Sequence, residues 1–364
     1  MNKKPKEIAG DSSWNPLMDW KKTEIKWKKV EISPDDLRRF TRRSDFKGLC
    51  QSVGFILFLC ATGGLTYYAF LQERWAWMAV GLYVHGTFYR QFGVAIHELI
   101  HTTVFKTKWL NTFMVYLFGF LYWPLNPYFY RLSHTGYHHR YTLHQKSDGE
   151  DTPNYLEINL KWFVDIFLHC IHAKALIQNS GRLLTCKPTA MGWRGRSYSL
   201  DTWEQFVLRE ATDKQRKQVH NFSRFVLIGH LLFAAVCLVT GNWFLIVLIA
   251  LAPFYGARFH AVYCNTYQHA ACEANNPDFR LSCGDAILDP LSSFLYWRME
   301  YHIEHHMFAS IPCYNLKAFR RFVENQLPPR KPAMTRLGEL HRISRKKYGT
   351  WGNWEKCFGF YKGV

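Results

Sequence analysis

The stretch LCQSVGFILFLCATGGLTYYAFL, from Leu49 to Leu71, contains no charged side chain. An α-helix of this length, at about 1.5 Å per residue, crosses the roughly 30 Å hydrocarbon core of a bilayer. A short polar break ends at Arg74, and the run from Trp75 to Ile96 is again apolar apart from Arg90. Residues 49–96 are therefore predicted to form a membrane-spanning helical hairpin.

A second pair of apolar runs follows later in the chain. One extends from Phe222 to Val239 and the other from Trp243 to Phe259, with only a short polar turn between them. Residues 222–259 are therefore predicted to form a second membrane hairpin. The predicted fold class is an all-α integral membrane protein with four transmembrane helices arranged as two hairpins. The charged regions 97–221 and 260–364 remain outside the bilayer and are expected to form a cytosolic helical cap.

The apolar stretch from Trp109 to Trp123 is too short for a typical span, and Pro124 follows it directly. If this stretch crossed the bilayer once, the histidines that precede it in the chain and those that follow it would lie on opposite faces of the membrane. They could not then come together. We therefore expect an interfacial or re-entrant segment. Residues 157–178 and 201–220 carry charges throughout and are predicted to be surface helices.

Composition and charge favour a membrane protein with a basic cytosolic side. Aromatic residues make up 17% of the chain and include 14 tryptophans, which are typical of membrane interfaces. The net charge is +18, and residues 1–48 contain thirteen Lys and Arg. Positive residues before a first span favour the cytosol, so we predict a multi-pass protein with both termini and the active site on the cytosolic side. No nucleic-acid-binding module accompanies the charge, which excludes nucleic acid as a partner.

The rest of the composition indicates one domain that faces a reducing compartment. No linker or internal repeat interrupts residues 1–364, so a single domain is predicted. The ten cysteines include no CxxC pair, which favours free thiols. Residues 1–48 lack the apolar core of a secretory signal peptide, and the first span is expected to direct membrane insertion.

Eight of the 17 histidines fall into three short motifs: HELIH from His97 to His101, HTGYHH from His134 to His139, and HIEHH from His302 to His306. Spacings of three and four residues bring imidazoles together on one helix face. Neutral imidazole binds iron, copper, nickel and zinc, and eight imidazoles exceed the needs of a single ion. The motifs therefore predict a two-metal site whose ligands are His97, His101, His134, His138, His139, His302, His305 and His306.

The order HxxxH, HxxxHH and HxxHH, between and after two membrane hairpins, resembles the membrane fatty acid desaturase and hydroxylase superfamily over residues 49–320. The string YHIEHHMFASIPCYNL, from Tyr301 to Leu316, is similar to the third histidine box of that family, although a proline is expected near Ala309. In the string NTYQH, the resemblance implies that His269 is a further metal ligand and that Asn265 holds a metal-bound water.

The resemblance further implies two iron ions that activate O2 for the oxidation of an unactivated C–H bond. The expected substrate is lipid-like, with a fatty acyl chain as the default, and the product is a double bond or an alcohol. The sequence contains no GxGxxG motif, no ferredoxin-type cysteine set and no haem motif. Electrons are therefore expected from a separate donor, of the ferredoxin type or the cytochrome b5 type with its reductase. No catalytic residue is expected beyond the metal ligands.

Three alternatives stay open at this point. In the first alternative, the substrate of such an oxygenase is a small non-lipid metabolite. In the second, HELIH is a zinc protease motif of the HExxH type, with Glu98 as general base. The third is a non-catalytic metal carrier, which would place its ligands within the spans along a path. Two of the three histidine motifs have no role in a protease beyond supplying one third ligand.

Acidic side chains beside the motifs are candidates to accept the second ring N–H of a ligating histidine and to fix its tautomer. These side chains are Glu98, Asp148, Glu150, Asp151, Glu300 and Glu304. For the three loop acids an ordinary surface position is an equally good interpretation. His144 is a further candidate for this outer layer, whereas His85 and His230 lie deep in apolar runs and need polar partners there.

Overall fold

The computed structural model describes residues 16–20, 22, 24–144, 147–150, 156, 158–190 and 199–348. Within these ranges the chain is helical and forms no β-strand, which confirms the predicted all-α class. The described α-helices are α1 (Pro16–Asp19), α2 (Pro34–Phe40), α3 (Asp45–Leu71), α4 (Trp75–Tyr89), α5 (Phe92–Ile100), α6 (Lys108–Leu121), α7 (Pro127–Ser133), α8 (His139–Tyr141), α9 (Leu160–Phe167), α10 (Ala173–Leu184), α11 (Leu200–Glu210), α12 (Asp213–Val239), α13 (Phe244–Ile249), α14 (Phe259–Asn265), α15 (Phe279–Ser282), α16 (Pro290–Leu295), α17 (His302–Met307), α18 (Cys313–Phe322) and α19 (Ala333–Tyr348). A π-helical segment, His134–His138, and 3-10 turns at Ala252–Phe254 and Glu324–Gln326 complete them.

Two of the described helices, α3 and α12, are long and apolar enough to cross a membrane, and each has 27 residues. Ser44 caps the start of α3, because its side chain accepts a hydrogen bond from the backbone N–H of Lys47. A capping box formed by Thr212 and Gln215 starts α12. The predicted surface helix over 201–220 is therefore two elements, because this cap ends α11 and begins α12.

The tips of the two hairpins lie side by side. Tyr67 donates a hydrogen bond from its hydroxyl to Oδ1 of Asn242 at 2.8 Å. Phe70 stacks on Phe244, with ring centroids 4.2 Å apart. Trp75 and Trp243 are exposed at this end, where aromatic side chains suit a membrane interface.

The second helix of each hairpin differs from the prediction. The run 75–96 is not one helix: α4 ends at Tyr89, and α5 begins at Phe92 after a break at Arg90 and Gln91. The side chain of Gln91 bonds Nδ1 of His260 at 2.7 Å, which anchors the break to α14. The run 243–259 forms only the short α13 and a 3-10 turn that contains Pro253. Four complete spans therefore stay a prediction.

The predicted interfacial segment 109–123 corresponds to α6. Its 14 residues extend about 21 Å, less than a hydrocarbon core. It starts beside the first turn of α3, because Asp45 accepts hydrogen bonds from the backbone and the side chain of Thr107 at 2.9 and 2.8 Å. Its placement in the interface stays a prediction.

Candidate metal centre

The first histidine motif lies on α5, directly after the break at Arg90 and Gln91. His97 and His101 are separated by one helical turn, and their ring centroids are 5.0 Å apart. Two other side chains of this helix, Ile96 and Leu99, are fully buried in the main core. Packing of α5 therefore turns both imidazoles toward the same side.

The second motif adopts π-helical geometry over His134–His138 and continues into α8. The rings of His134 and His138 are stacked, with centroids 4.8 Å apart. A π-helical turn contains one more residue than an α-helical turn and is frequently found at functional sites. Spacing alone does not predict this turn.

The third motif forms α17, in which every side chain from His302 to Met307 is buried. His302 and His306 face one another across one turn, with ring centroids 4.5 Å apart. His305 points in a different direction and approaches His97, at a centroid distance of 4.7 Å. One short helix therefore supplies histidines to two different places.

His269 also reaches the centre, as the resemblance implies. It lies on a turn four residues beyond the end of α14, so it does not share a helix with Asn265. Its Nε2 lies 2.9 Å from Nε2 of His302. Asn265 is half-buried, and its backbone oxygen accepts a hydrogen bond from Gln268 N at 3.1 Å. Its role with a metal-bound water stays a prediction.

The nine predicted ligands form two groups, and within each the candidate ligand atoms all lie within 4.8 Å of one another. The five-histidine group consists of His97, His101, His134, His139 and His305. The four-histidine group consists of His138, His269, His302 and His306. The groups are adjacent, because the rings of His139 and His306 stack at 4.4 Å.

The buried ring nitrogens of these groups fit two metal ions. Nε2 of His101, His134 and His306 is buried without a hydrogen-bond partner. Elsewhere two ring nitrogens face each other, as Nε2 of His305 and Nε2 of His139 do at 3.2 Å. Buried lone pairs directed at one another are unfavourable unless a proton or a cation lies between them. Imidazole ligands suit iron, as they also suit zinc, copper and nickel.

The outer nitrogens of the four-histidine group have three well-defined partners. His138 Nδ1 bonds Asp148 Oδ2 at 2.9 Å. His269 Nδ1 donates to the backbone oxygen of Ser282 at 3.0 Å, and His306 Nδ1 lies 3.1 Å from Thr142 Oγ1. These contacts leave Nε2 of each ring for the interior of the group.

Among the described residues, the five-histidine group has fewer partners at normal hydrogen-bond distance. Glu150 bonds His134 Nδ1 at 2.7 Å. Glu98 Oε1 lies between His97 Nδ1 and His305 Nδ1, at the longer distances of 3.4 and 3.5 Å. Nδ1 of His139 is buried without a hydrogen-bond partner. The predicted outer role of the acids is therefore seen for Asp148 and Glu150, while Glu98 is placed between two motifs.

The remaining predicted acids behave differently. Glu304 Oε1 accepts a hydrogen bond from Arg320 at 3.0 Å, and Asp285 accepts from the same guanidinium at 3.1 Å. Because this buried ion pair lies behind α17, Glu304 does not accept a ring N–H. Glu300 accepts from the hydroxyl of Ser293 instead. Asp151 lies outside the described residues.

Burial keeps the histidines neutral, which is the form that binds a metal. It lowers the pKa of His97 to about 3. Burial also holds the pKa values of six further ligands well below the ordinary range: those of His101, His134, His139, His302, His305 and His306. The pKa of the Glu98 carboxyl is raised by burial to about 8.

The other histidines singled out in the sequence lie outside both groups. His144 Nδ1 lies 3.1 Å from the backbone oxygen of Thr142, and its ring meets Trp27 edge-on at 5.2 Å. His85 bridges two helices through Thr62 Oγ1 at 2.8 Å and the backbone oxygen of Leu248 at 3.0 Å. His230 Nδ1 bonds the backbone oxygen of Val226 at 3.2 Å.

Sequence reasoning missed two residues that contact the histidine rings, Thr142 and Ser282, and it missed the Arg320–Asp285 pair that engages Glu304. Thr142 is three residues beyond the second motif, and proximity alone could have suggested it. Ser282 contributes a backbone oxygen, which any residue type supplies. The pair behind α17 joins residues 35 positions apart, so no local pattern marks it.

The three histidine motifs meet on an all-helical scaffold in two groups that could each hold a metal ion, and a comparison with protein families identifies the class of protein. The fatty acid desaturase family model matches residues 74–338, which is most of the chain. The chain therefore belongs to the fatty acid desaturase family and is an oxidoreductase of that type. No curated protein matches it closely enough to be reported as a relative.

Proposed function

We propose that the chain is an O2-dependent di-iron oxidoreductase that desaturates or hydroxylates an unactivated C–H bond of a lipid-like substrate. A fatty acyl chain is the first substrate to test. The observation that carries the proposal is the division of nine histidines into two adjacent groups, each compact enough for one metal ion. The family match supports the reaction class.

The proposed ligands are His97, His101, His134, His139 and His305 for one iron, and His138, His269, His302 and His306 for the other. When bound, the iron pair supplies the activation of O2 for C–H oxidation. The protein orients the ligands: Asp148, Ser282 and Thr142 fix three tautomers in one group, and Glu150 fixes one in the other. Burial of α17 shields His302, His305 and His306 from water.

The proposed architecture is a single domain over residues 1–364 with four membrane spans. Residues 49–96 and 222–259 form the hairpins, and residues 1–48, 97–221 and 260–364 lie on the cytosolic side with both termini. Helix α3 supports this arrangement, because its start bonds Thr107, shortly after the first histidine motif, and Tyr67 near its other end bonds Asn242 between the two runs of the second hairpin. A separate electron donor, of the ferredoxin type or the cytochrome b5 type with its reductase, docks on the basic cytosolic face.

The zinc protease remains the alternative from another class. The position of Glu98 disfavours it, because this carboxylate faces Nδ1 of His97 and His305 and a protease base must reach a metal-bound water. A small non-lipid metabolite is the alternative substrate class, and product analysis tests it directly.

Metal analysis of the purified protein distinguishes the classes. We expect about two irons per chain for the oxygenase, against one zinc for a protease and exchangeable metal for a carrier. Mass spectrometry of lipids and small metabolites after expression with an electron-donor system then identifies the oxidised carbon. A preparation with one zinc and peptidase activity would overturn the proposal.

A further inference from the structure

A stripe of exposed apolar side chains runs along α9 and continues beyond its end. The exposed fraction is 80% for Leu160, 71% for Leu168 and 72% for Ile171. The spacing of the stripe follows one side of a helix. Its members are Leu160, Phe163, Val164, Phe167, Leu168 and Ile171.

The opposite side of α9 is packed against the protein. Trp162 and Ile166 are buried in the main core. Asp165, the acidic residue of this helix, forms an ion pair with Arg258 at 2.6 Å, so its charge is paired within the protein. Helix α9 is therefore apolar on its free side as well as on its packed side.

Helix α11 shows what a surface helix in water looks like in the same chain. It buries Trp203 and Phe206 and exposes Asp201, Gln205 and Arg209. The charges in both segments led to the same prediction, a surface helix. The exposed sides differ, because that of α11 is polar and that of α9 is apolar.

The segment that contains α9 and α10 contacts two of the apolar helices, α4 and α12. Tyr83 of α4 donates its hydroxyl hydrogen bond to the backbone oxygen of Phe167 at 3.1 Å. Leu183 of α10 packs with Phe222 and Val226 of α12. The stripe therefore adjoins α4, whose own exposed side chains Trp77 and Val80 are apolar as well.

We propose that residues 160–171 form an in-plane membrane anchor, with the lipid surface as the occupant of the exposed stripe. Lys174 is exposed beside it and reaches the headgroup layer. Phe167 stacks on Phe259 at 5.0 Å, at the start of α14. The anchor thereby holds the cap that carries the metal centre against the bilayer. It does not depend on which carbon the enzyme oxidises.

Thiol accessibility in lipid nanodiscs tests the anchor. The full chain carries Leu168→Cys and is placed in discs of phosphatidylcholine and phosphatidylglycerol that hold one copy each. A charged maleimide labels it, and peptide mass spectrometry reads each cysteine separately. The matched control is Met334→Cys on α19, since Met334 is 69% exposed and Leu168 is 71% exposed. Leu57→Cys on α3, where Leu57 is 61% exposed, is the lipid-facing control.

We expect the Leu168→Cys thiol to react roughly tenfold more slowly than the Met334→Cys thiol and as slowly as the Leu57→Cys thiol. Leu160→Cys, at the other end of the stripe, provides a second variant if the first does not fold. Labelling at the rate of the Met334→Cys thiol would overturn the proposal. So would protection that appears only when two copies share a disc, because a second copy and not lipid would then cover the stripe.

Discussion

The two histidine groups differ in how firmly their rings are held. In the four-histidine group, three outer nitrogens bond Asp148, Ser282 or Thr142 at 2.9 to 3.1 Å. In the five-histidine group, Glu150 bonds His134 at 2.7 Å, but Glu98 is 3.4 and 3.5 Å from the two nitrogens that it approaches. The smaller group is thus more preorganised, and the larger one has more ligands and looser support. We infer that each group reaches its affinity by a different means.

Removal of one ligand from each group should have the largest effect. We expect His138→Ala and His305→Ala each to abolish turnover and to lower bound iron from about two to about one per chain. The measurements are elemental analysis and product formation with an electron donor. Activity retained in either variant would contradict the assignment of that histidine.

Substitution of the outer carboxylates should affect metal retention by the two groups differently. Asp148 Oδ2 accepts from His138 Nδ1 and from the backbone N–H of Leu143, both at 2.9 Å. We expect Asp148→Asn to weaken metal retention by the four-histidine group roughly 10- to 100-fold. Iron loss to a chelator over time measures this effect. Glu150→Gln is the matched variant in the other group and should lose iron more slowly, because four further histidines remain there.

Glu98→Gln should have a smaller effect than Asp148→Asn. Its two contacts with ring nitrogens are longer than a normal hydrogen bond, so we expect bound iron to be unchanged and turnover to fall by less than about tenfold. Steady-state product formation measures the change. Bound zinc and peptidase activity in the parent protein, with the peptidase activity lost in Glu98→Gln, would instead indicate a protease in which Glu98 is the base.

The smallest effect is expected at His144, which lies outside both groups. His144→Ala removes an edge contact with Trp27, and we expect a change in stability of about 0.5 kcal/mol and no change in bound iron. Thermal unfolding and elemental analysis measure both. Loss of iron would show that His144 supports a ligand.

Local patterns predicted the all-helical class and the histidine motifs that meet at the centre, whereas the role of these histidines as metal ligands stays a prediction. The apolar run of 49–71 and the motif spacings act over one or a few turns, so they can be read without the fold. They failed where distant contacts intervene. The break at Arg90 and Gln91 depends on His260, which is 169 residues away from Gln91. The π-helical turn at His134–His138 also has no signal in the spacing.

The sequence by itself determined the all-helical class, the three histidine motifs and the chemistry that imidazoles support, because these follow from composition and short-range periodicity. Only the tertiary structure decided that His134 and His138 belong to different groups, as His302 and His305 do. It also decided which acids face a ring and that α9 turns apolar side chains outward. Each of these depends on packing between elements far apart in the chain, and periodicity within one element carries no information about its neighbours.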